Sequence, residues 1–122
     1  MSKAEAALLV VDDNEDNRYA LTRRLGREGY SNVAIAVDGA QALELLNSKP
    51  FDLVLLDIMM PNVNGYEVLE KMKAHEVLRH IPVIMISAVD EIDSVVKCIE
   101  LGAEDYLPKP FNPILLRARV GA

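Results

Sequence analysis

Five side chains of this sequence sit where a purely structural account has least use for them. Asp12 and Asp13 directly follow the apolar run 8–11, and Asp57 ends "LVLLD" (53–57), directly after four apolar residues. Ser87 ends "IPVIMIS" (81–87), and Lys109 stands between Pro108 and Pro110 after "DYLP" (105–108). Taken singly, each has a bland explanation. An acidic pair after a strand is most often a solvated loop, and an aspartate before a turn is often a cap. A strand-end serine bonds nearby backbone, and a lone lysine is surface. Taken together, they are three carboxylates, one hydroxyl and one ammonium. Three acids packed together repel unless a cation lies between them. An all-oxygen set suits Mg2+, a hard ion that prefers few carboxylates together with water and phosphate.

Whether these groups meet depends on the elements that carry them. Short apolar runs predict strands at 7–11, 33–37, 53–57, 81–87 and 105–108, the fourth with its proline near the start. Longer amphipathic stretches predict helices between them. The first runs over about 15–28, with Leu21 and Leu25 on one side and glycine stops at Gly26 and Gly29. The second is N-capped by Asp38 and closed by Pro50. The third covers 66–75, with Val68, Leu69 and Met72 on one side, and the fourth covers 91–103 and ends at Gly102. The fifth covers 112–120, with Asn112 as N-cap and Pro113 at the first position. Strands that are apolar on both faces, alternating with helices, predict an α/β fold: one doubly wound five-stranded parallel sheet with helices on both faces. In such sheets ligands sit beyond the carboxyl ends of the strands. That is the edge to which all five side chains belong.

Bulk properties bound the rest. A chain of 122 residues makes one domain, and 51% hydrophobic with 26% charged residues is an ordinary globular composition. The net charge of −6 disfavours direct binding to nucleic acid or to an anionic membrane, both of which need clustered Lys and Arg. Cys98 is the only cysteine, so neither an internal disulfide nor a cysteine metal site is available, and its helical setting predicts a plain buried thiol. No apolar run approaches a membrane span and the N-terminus lacks a signal-peptide pattern, so a cytoplasmic location is expected.

In order along the chain, "LLVVDDN" (8–14), "DLVLLDIMMPNVNGYEVL" (52–69), "IPVIMISA" (81–88) and "GAEDYLPKPF" (102–111) resemble the receiver domain of two-component response regulators. The resemblance covers nearly the whole of 1–122. It implies a flavodoxin-like strand order of 2-1-3-4-5 and a fifth helix cut short at the chain end. It implies that Asp57 accepts a phosphoryl group from a histidine kinase or phosphotransfer protein. Mg2+ would be held by Asp13 directly, by Asp12 largely through water, by Asp57 and by the Met59 carbonyl. Ser87, the Ala88 N–H and Lys109 would hold phosphoryl oxygens, with the Lys109–Pro110 bond resembling a cis peptide that turns the lysine inward. Tyr106 would be the aromatic switch, moving with Ser87 to alter the face built from the fourth helix, fifth strand and fifth helix. That face would control an output domain or partner, with a homodimer on phosphorylation as one possible result. The domain's only catalysis would be its own phosphorylation and dephosphorylation.

Other readings fit less well. An aspartyl phosphohydrolase of the haloacid dehalogenase type wants a second acid two residues after the nucleophile, where Met59 stands. A flavin carrier would need a Ser/Thr/Gly-rich loop after the first strand. A receiver-like protein that works without phosphorylation would lack an acid or the lysine, and none is missing. Met59 and Val89, two residues past Asp57 and Ser87, cannot hydrogen-bond an attacking water, which predicts slow loss of phosphate. Apart from that, the side chains of Met59, Met60, Met72 and Met85 read as packing residues. His75 and His80 have no assigned role. Arg18, Arg23, Arg24 and Arg27 read as a solvated face of the first helix, with kinase docking as the sharper alternative.

Overall fold

Alternate side chains of the central strands are buried on opposite faces of one sheet, and that decides the architecture. The computed structural model describes residues 2–60, 63–87, 92–109 and 111–121. The strands are β1 (Ala7–Val11), β2 (Asn32–Ala36), β3 (Leu53–Asp57), β4 (Val83–Ser87) and β5 (Asp105–Pro108). They pair in parallel in the order β2-β1-β3-β4-β5. The helices are α1 (Glu15–Arg27), α2 (Gly39–Ser48), α3 (Gly65–Ala74), α4 (Ile92–Glu100) and α5 (Pro113–Val120).

Because strand side chains alternate with period two, each strand feeds two cores. Leu8 and Val10, Leu55, Ile84 and Ile86 pack with Leu21 and Leu25 of α1 and Leu116 of α5. Leu9 and Val11, Val54 and Leu56, Val83 and Met85 pack instead with Leu46 of α2, Val68 and Met72 of α3, and Cys98 of α4. Burying a large aliphatic side chain contributes about 1.5–3 kcal/mol, so the two cores hold the central strands as rigid posts. This is the doubly wound, flavodoxin-like sheet expected. Its order reverses between β1 and β3, where such sheets bind ligands.

Side-chain oxygens start α2 and α5 as anticipated. Asp38 Oδ1 accepts the Gln41 N–H at 2.7 Å, and Asn112 Oδ1 accepts those of Ile114 and Leu115. Asn64 and Glu67 form a reciprocal capping box at α3. Several boundaries differ from expectation. β2 lies one residue earlier, and β4 starts only after Pro82, which has no N–H to give the ladder. α4 stops at Glu100 because Gly102 takes a positive φ of 102°. A 3-10 turn at Leu78–His80 was not foreseen, and His75 has a structural role after all. Its Nδ1 accepts the N–H groups of Val77 and Leu78 at 3.1 and 3.2 Å and so starts that turn.

Candidate functional site

The strand ends deliver their polar groups to one place. Asp12 follows β1, where its N–H donates to Ala36 O at 3.2 Å. Its Oδ1 accepts the Asn14 N–H at 2.9 Å, closing a tight turn into α1. Asp57 is the last residue of β3 and is 3% exposed, while Asp12 is 1% exposed. Asp13 is exposed. One carboxylate oxygen from each of Asp12, Asp13 and Asp57 lies within 4.8 Å of the others.

The β3–α3 loop returns tightly over the acid. Gly65 N–H donates to Ile58 O at 2.8 Å, and a Cβ at position 65 would collide with the Asp57 carbonyl. A second glycine, Gly39 at the start of α2, lets that helix meet the Val63 carbonyl of the same loop. Close backbone approach is what requires glycine at both positions.

Lys109 arrives from the far side of the sheet. Its N–H donates to Ser87 O at 2.8 Å, which anchors the residue at the end of β4. Its Nζ lies 2.8 Å from Asp12 Oδ2 and 3.3 Å from Asp57 Oδ2. Burial pulls the ammonium pKa down, but the hydrogen bond to Asp12 and the charges of Asp57 and Asp12 outweigh it, and the net shift is upward. Asp57 is shifted upward as well, which for an acid favours the neutral form. Burial and then the charge of Asp12 push it up to about 6, with Lys109 only partly offsetting them.

One ammonium against three carboxylates leaves the cluster short of positive charge. The donors are all oxygen, close together and partly buried, and the buried acid is held above its usual range. The site therefore fits a hard metal cation.

The side chains of Asp12, Asp13, Asp57 and Lys109 are thus brought together as expected, with buried Ser87 beside them at the end of β4. Tyr106 pairs with Met85 across β4 and β5 and leans, half-buried, against the core of the α2–α4 face. The positions expected for the Ala88 N–H, for Val89 and for the Lys109–Pro110 bond lie outside the described residues. Met60, Met72 and Met85 pack as expected, but the Met59 side chain is 63% exposed and packs poorly. β3 has ended two residues earlier, so no sheet neighbour covers it. Arg18 is no simple solvated residue either, since its Nη1 donates to Asp12 O at 2.8 Å. Its one signal in the sequence is a long cationic side chain in the first turns of the helix that follows the acid pair. Cys98 is buried as expected, and burial raises its thiol pKa.

Known proteins resemble this chain in sequence and in fold. A family model for the response regulator receiver domain matches residues 8–121. The probable transcriptional regulator ycf27 of Cyanidium caldarium is 40% identical over 98% of this chain and 46% of its own length. The transcriptional regulatory protein CpxR of Escherichia coli is 47% identical over 94% of this chain and 47% of its own length. The chain therefore spans about half the length of these two relatives. The crystal structure of a putative response regulator from Chloroflexus aurantiacus superposes with a TM-score of 0.89 at 32% identity, covering 94% of this chain and 93% of that one. With strand order, acid cluster and family model in agreement, the chain belongs to the receiver domains of two-component response regulators.

Proposed function

We propose that Asp57 is the phosphoacceptor of this receiver and that a histidine kinase or phosphotransfer protein is the donor. One observation carries this: a buried carboxylate at the end of β3 stands within reach of two more acids and of Lys109 Nζ at 3.3 Å. An Asp57 carboxylate oxygen attacks phosphorus, the bond from phosphorus to the donor's imidazole nitrogen breaks, and its electron pair stays on the imidazole. Little covalent chemistry beyond the nucleophile is required of the protein; positioning and charge neutralisation supply the rest.

Asp12, Asp13 and Asp57, with the Met59 carbonyl, would hold Mg2+. When bound, that ion neutralises charge on the phosphoryl oxygens. Lys109 pairs with a further oxygen and, being bonded to Asp12 beforehand, needs only a short swing to reach it. The Ser87 hydroxyl and the Ala88 N–H bind the remaining oxygens. Asp57 is the worse nucleophile while protonated, so its elevated pKa makes a cation or a pH above about 6 a condition of reactivity.

Phosphorylation favours one of two existing conformations, with Ser87 drawn inward and Tyr106 following it. The face of α4, β5 and α5 then presents a different surface to an output domain, a partner or a second copy. Transcriptional output, the role named for CpxR and ycf27, would reside in such a partner region, since this domain itself is acidic. No helix among the described residues is long and apolar enough to cross a membrane, in keeping with a cytoplasmic switch.

The test is treatment with acetyl phosphate and Mg2+, followed by intact mass measurement. Wild type should gain one phosphoryl group, reversed by hydroxylamine, and Asp57→Asn should gain none. A variant that is modified as fully as wild type would end this reading.

A further inference from the structure

Arg18 stands apart from the groups that carry the chemistry, yet its side chain reaches the loop that holds two of the three acids. It is the fourth residue of α1, which begins at Glu15. Helix side chains lean toward the N-terminus, so a long side chain here lies back over the start of its own helix. Nη1 donates to the Asp12 carbonyl at 2.8 Å, and the contact is half-buried. That carbonyl belongs to the peptide joining Asp12 to Asp13. Holding it sets the plane of the peptide, and with it the direction in which the Asp13 side chain leaves the backbone. Three other contacts already hold the turn. Asp12 N–H donates to Ala36 O, Asp12 Oδ1 accepts the Asn14 N–H, and Asn14 Oδ1 accepts the Asn17 N–H.

We infer that Arg18 is a positioning residue for the cation site: by clamping the Asp12 carbonyl it aims the exposed Asp13 carboxylate at the cluster formed with Asp12 and Asp57. The inference rests on the reading of those acids as the Mg2+ site. Charge alone predicts the reverse, because a guanidinium near a cation site repels the cation. The two effects have opposite signs, which makes the question decidable. Repulsion from a half-exposed guanidinium is screened by water and salt. The hydrogen bond to the carbonyl is charge-assisted and local. Positioning is therefore the larger effect.

The experiment is Mg2+ titration of the whole chain, without any phosphodonor, by calorimetry or carboxyl NMR, for wild type, Arg18→Ala, Arg18→Lys and Arg18→Gln. Loss of such a supporting contact typically weakens metal affinity about 10–100-fold, and the Ala variant should fall near the lower end because Asp12 keeps its other partners. The Lys variant, which retains donor and charge, should lie closer to wild type than to the Ala variant. In metal-free protein, the Asn14 amide should exchange faster in the Ala variant while amides in the middle of α1 do not change. Mg2+ binding that is tighter than wild type in the Ala variant, or in the Gln variant should the Ala variant not fold, would reduce Arg18 to a repelling charge and overturn the inference. Unchanged affinity in a folded Ala variant would overturn it too, leaving the Mg2+ site intact. A wild type that binds no Mg2+ would sink the site reading, and this inference with it.

Discussion

Lys109 Nζ and Asp12 Oδ2 are 2.8 Å apart, although their strands β5 and β1 are separated in the sheet by β3 and β4. Three strand spacings amount to roughly 14 Å. The gap closes because the Lys109 backbone is anchored to Ser87 and its side chain extends across the ends of β4 and β3. The ammonium thus stands where a divalent cation would draw on the same acids.

Replacing Lys109 with Ala should therefore tighten Mg2+ binding several-fold while slowing phosphorylation by acetyl phosphate. The Asp57 pKa should also climb above about 6, since Lys109 is the group that lowers it. Carboxyl NMR titration and Mg2+ calorimetry measure both. Weaker Mg2+ binding would show that the lysine organises the acids more than it competes for them.

Asp57→Asn should stabilise the fold at neutral pH. The pKa of this carboxyl rises from 3.8 to about 6 on folding, so between those values the native state holds a proton that the unfolded chain has released. The favourable contribution is fully present below the lower value and is lost as pH rises through the upper one. Removing the charge should recover about 1–3 kcal/mol at pH 7 and nothing near pH 3.5. Urea denaturation of both proteins across that range checks it; an equal gain at every pH would assign the effect to something other than ionisation.

Mg2+ affinity should fall as pH drops through about 6, with proton release climbing toward one per ion bound below that pH. Calorimetry in buffers of different ionisation enthalpy counts that proton. Affinity independent of pH from 5 to 7 on the order of these values would place the ion away from Asp57.

Gly65→Ala should cost about 1–3 kcal/mol, the usual penalty of overpacking, because the new Cβ meets the Asp57 carbonyl. A core defect elsewhere would lower stability alone. This one should also weaken Mg2+ binding, since the backbone that must yield is the one bearing the Asp57 carboxylate. Gly26→Ala, with open space around its Cβ, is the control.

Met59→Asn should shorten the lifetime of the phosphorylated state several-fold. The exposed thioether cannot orient a water, whereas a carboxamide can. The decay of phosphoprotein followed by intact mass tests this, and an unchanged or longer lifetime would remove Met59 from the account of dephosphorylation.

The alternation of apolar runs with amphipathic stretches was enough to recover the layers, and the strand order came with the resemblance to receivers. Runs such as "LVLL" are apolar on both faces, and with helices between them a parallel sheet covered on each side satisfies them. Side-chain oxygens at Asp38 and Asn112 likewise announced the helices that they cap. The acids, the serine and the lysine were legible because each ends a strand, and a parallel sheet sends all such ends to one edge. The resemblance to receivers then supplied their roles. Distances, exposure and charge balance are another matter, since they depend on atoms brought together from different elements. No local pattern could place Lys109 nearer to Asp12 than to Asp57, leave Met59 uncovered, or turn Arg18 back onto the Asp12 carbonyl. The elevated pKa of Asp57 likewise arises from its burial and from the charge of Asp12, far from it in sequence. Local sequence chose the elements and what stands at their tips; packing two helical layers against one twisted sheet decided which tips touch.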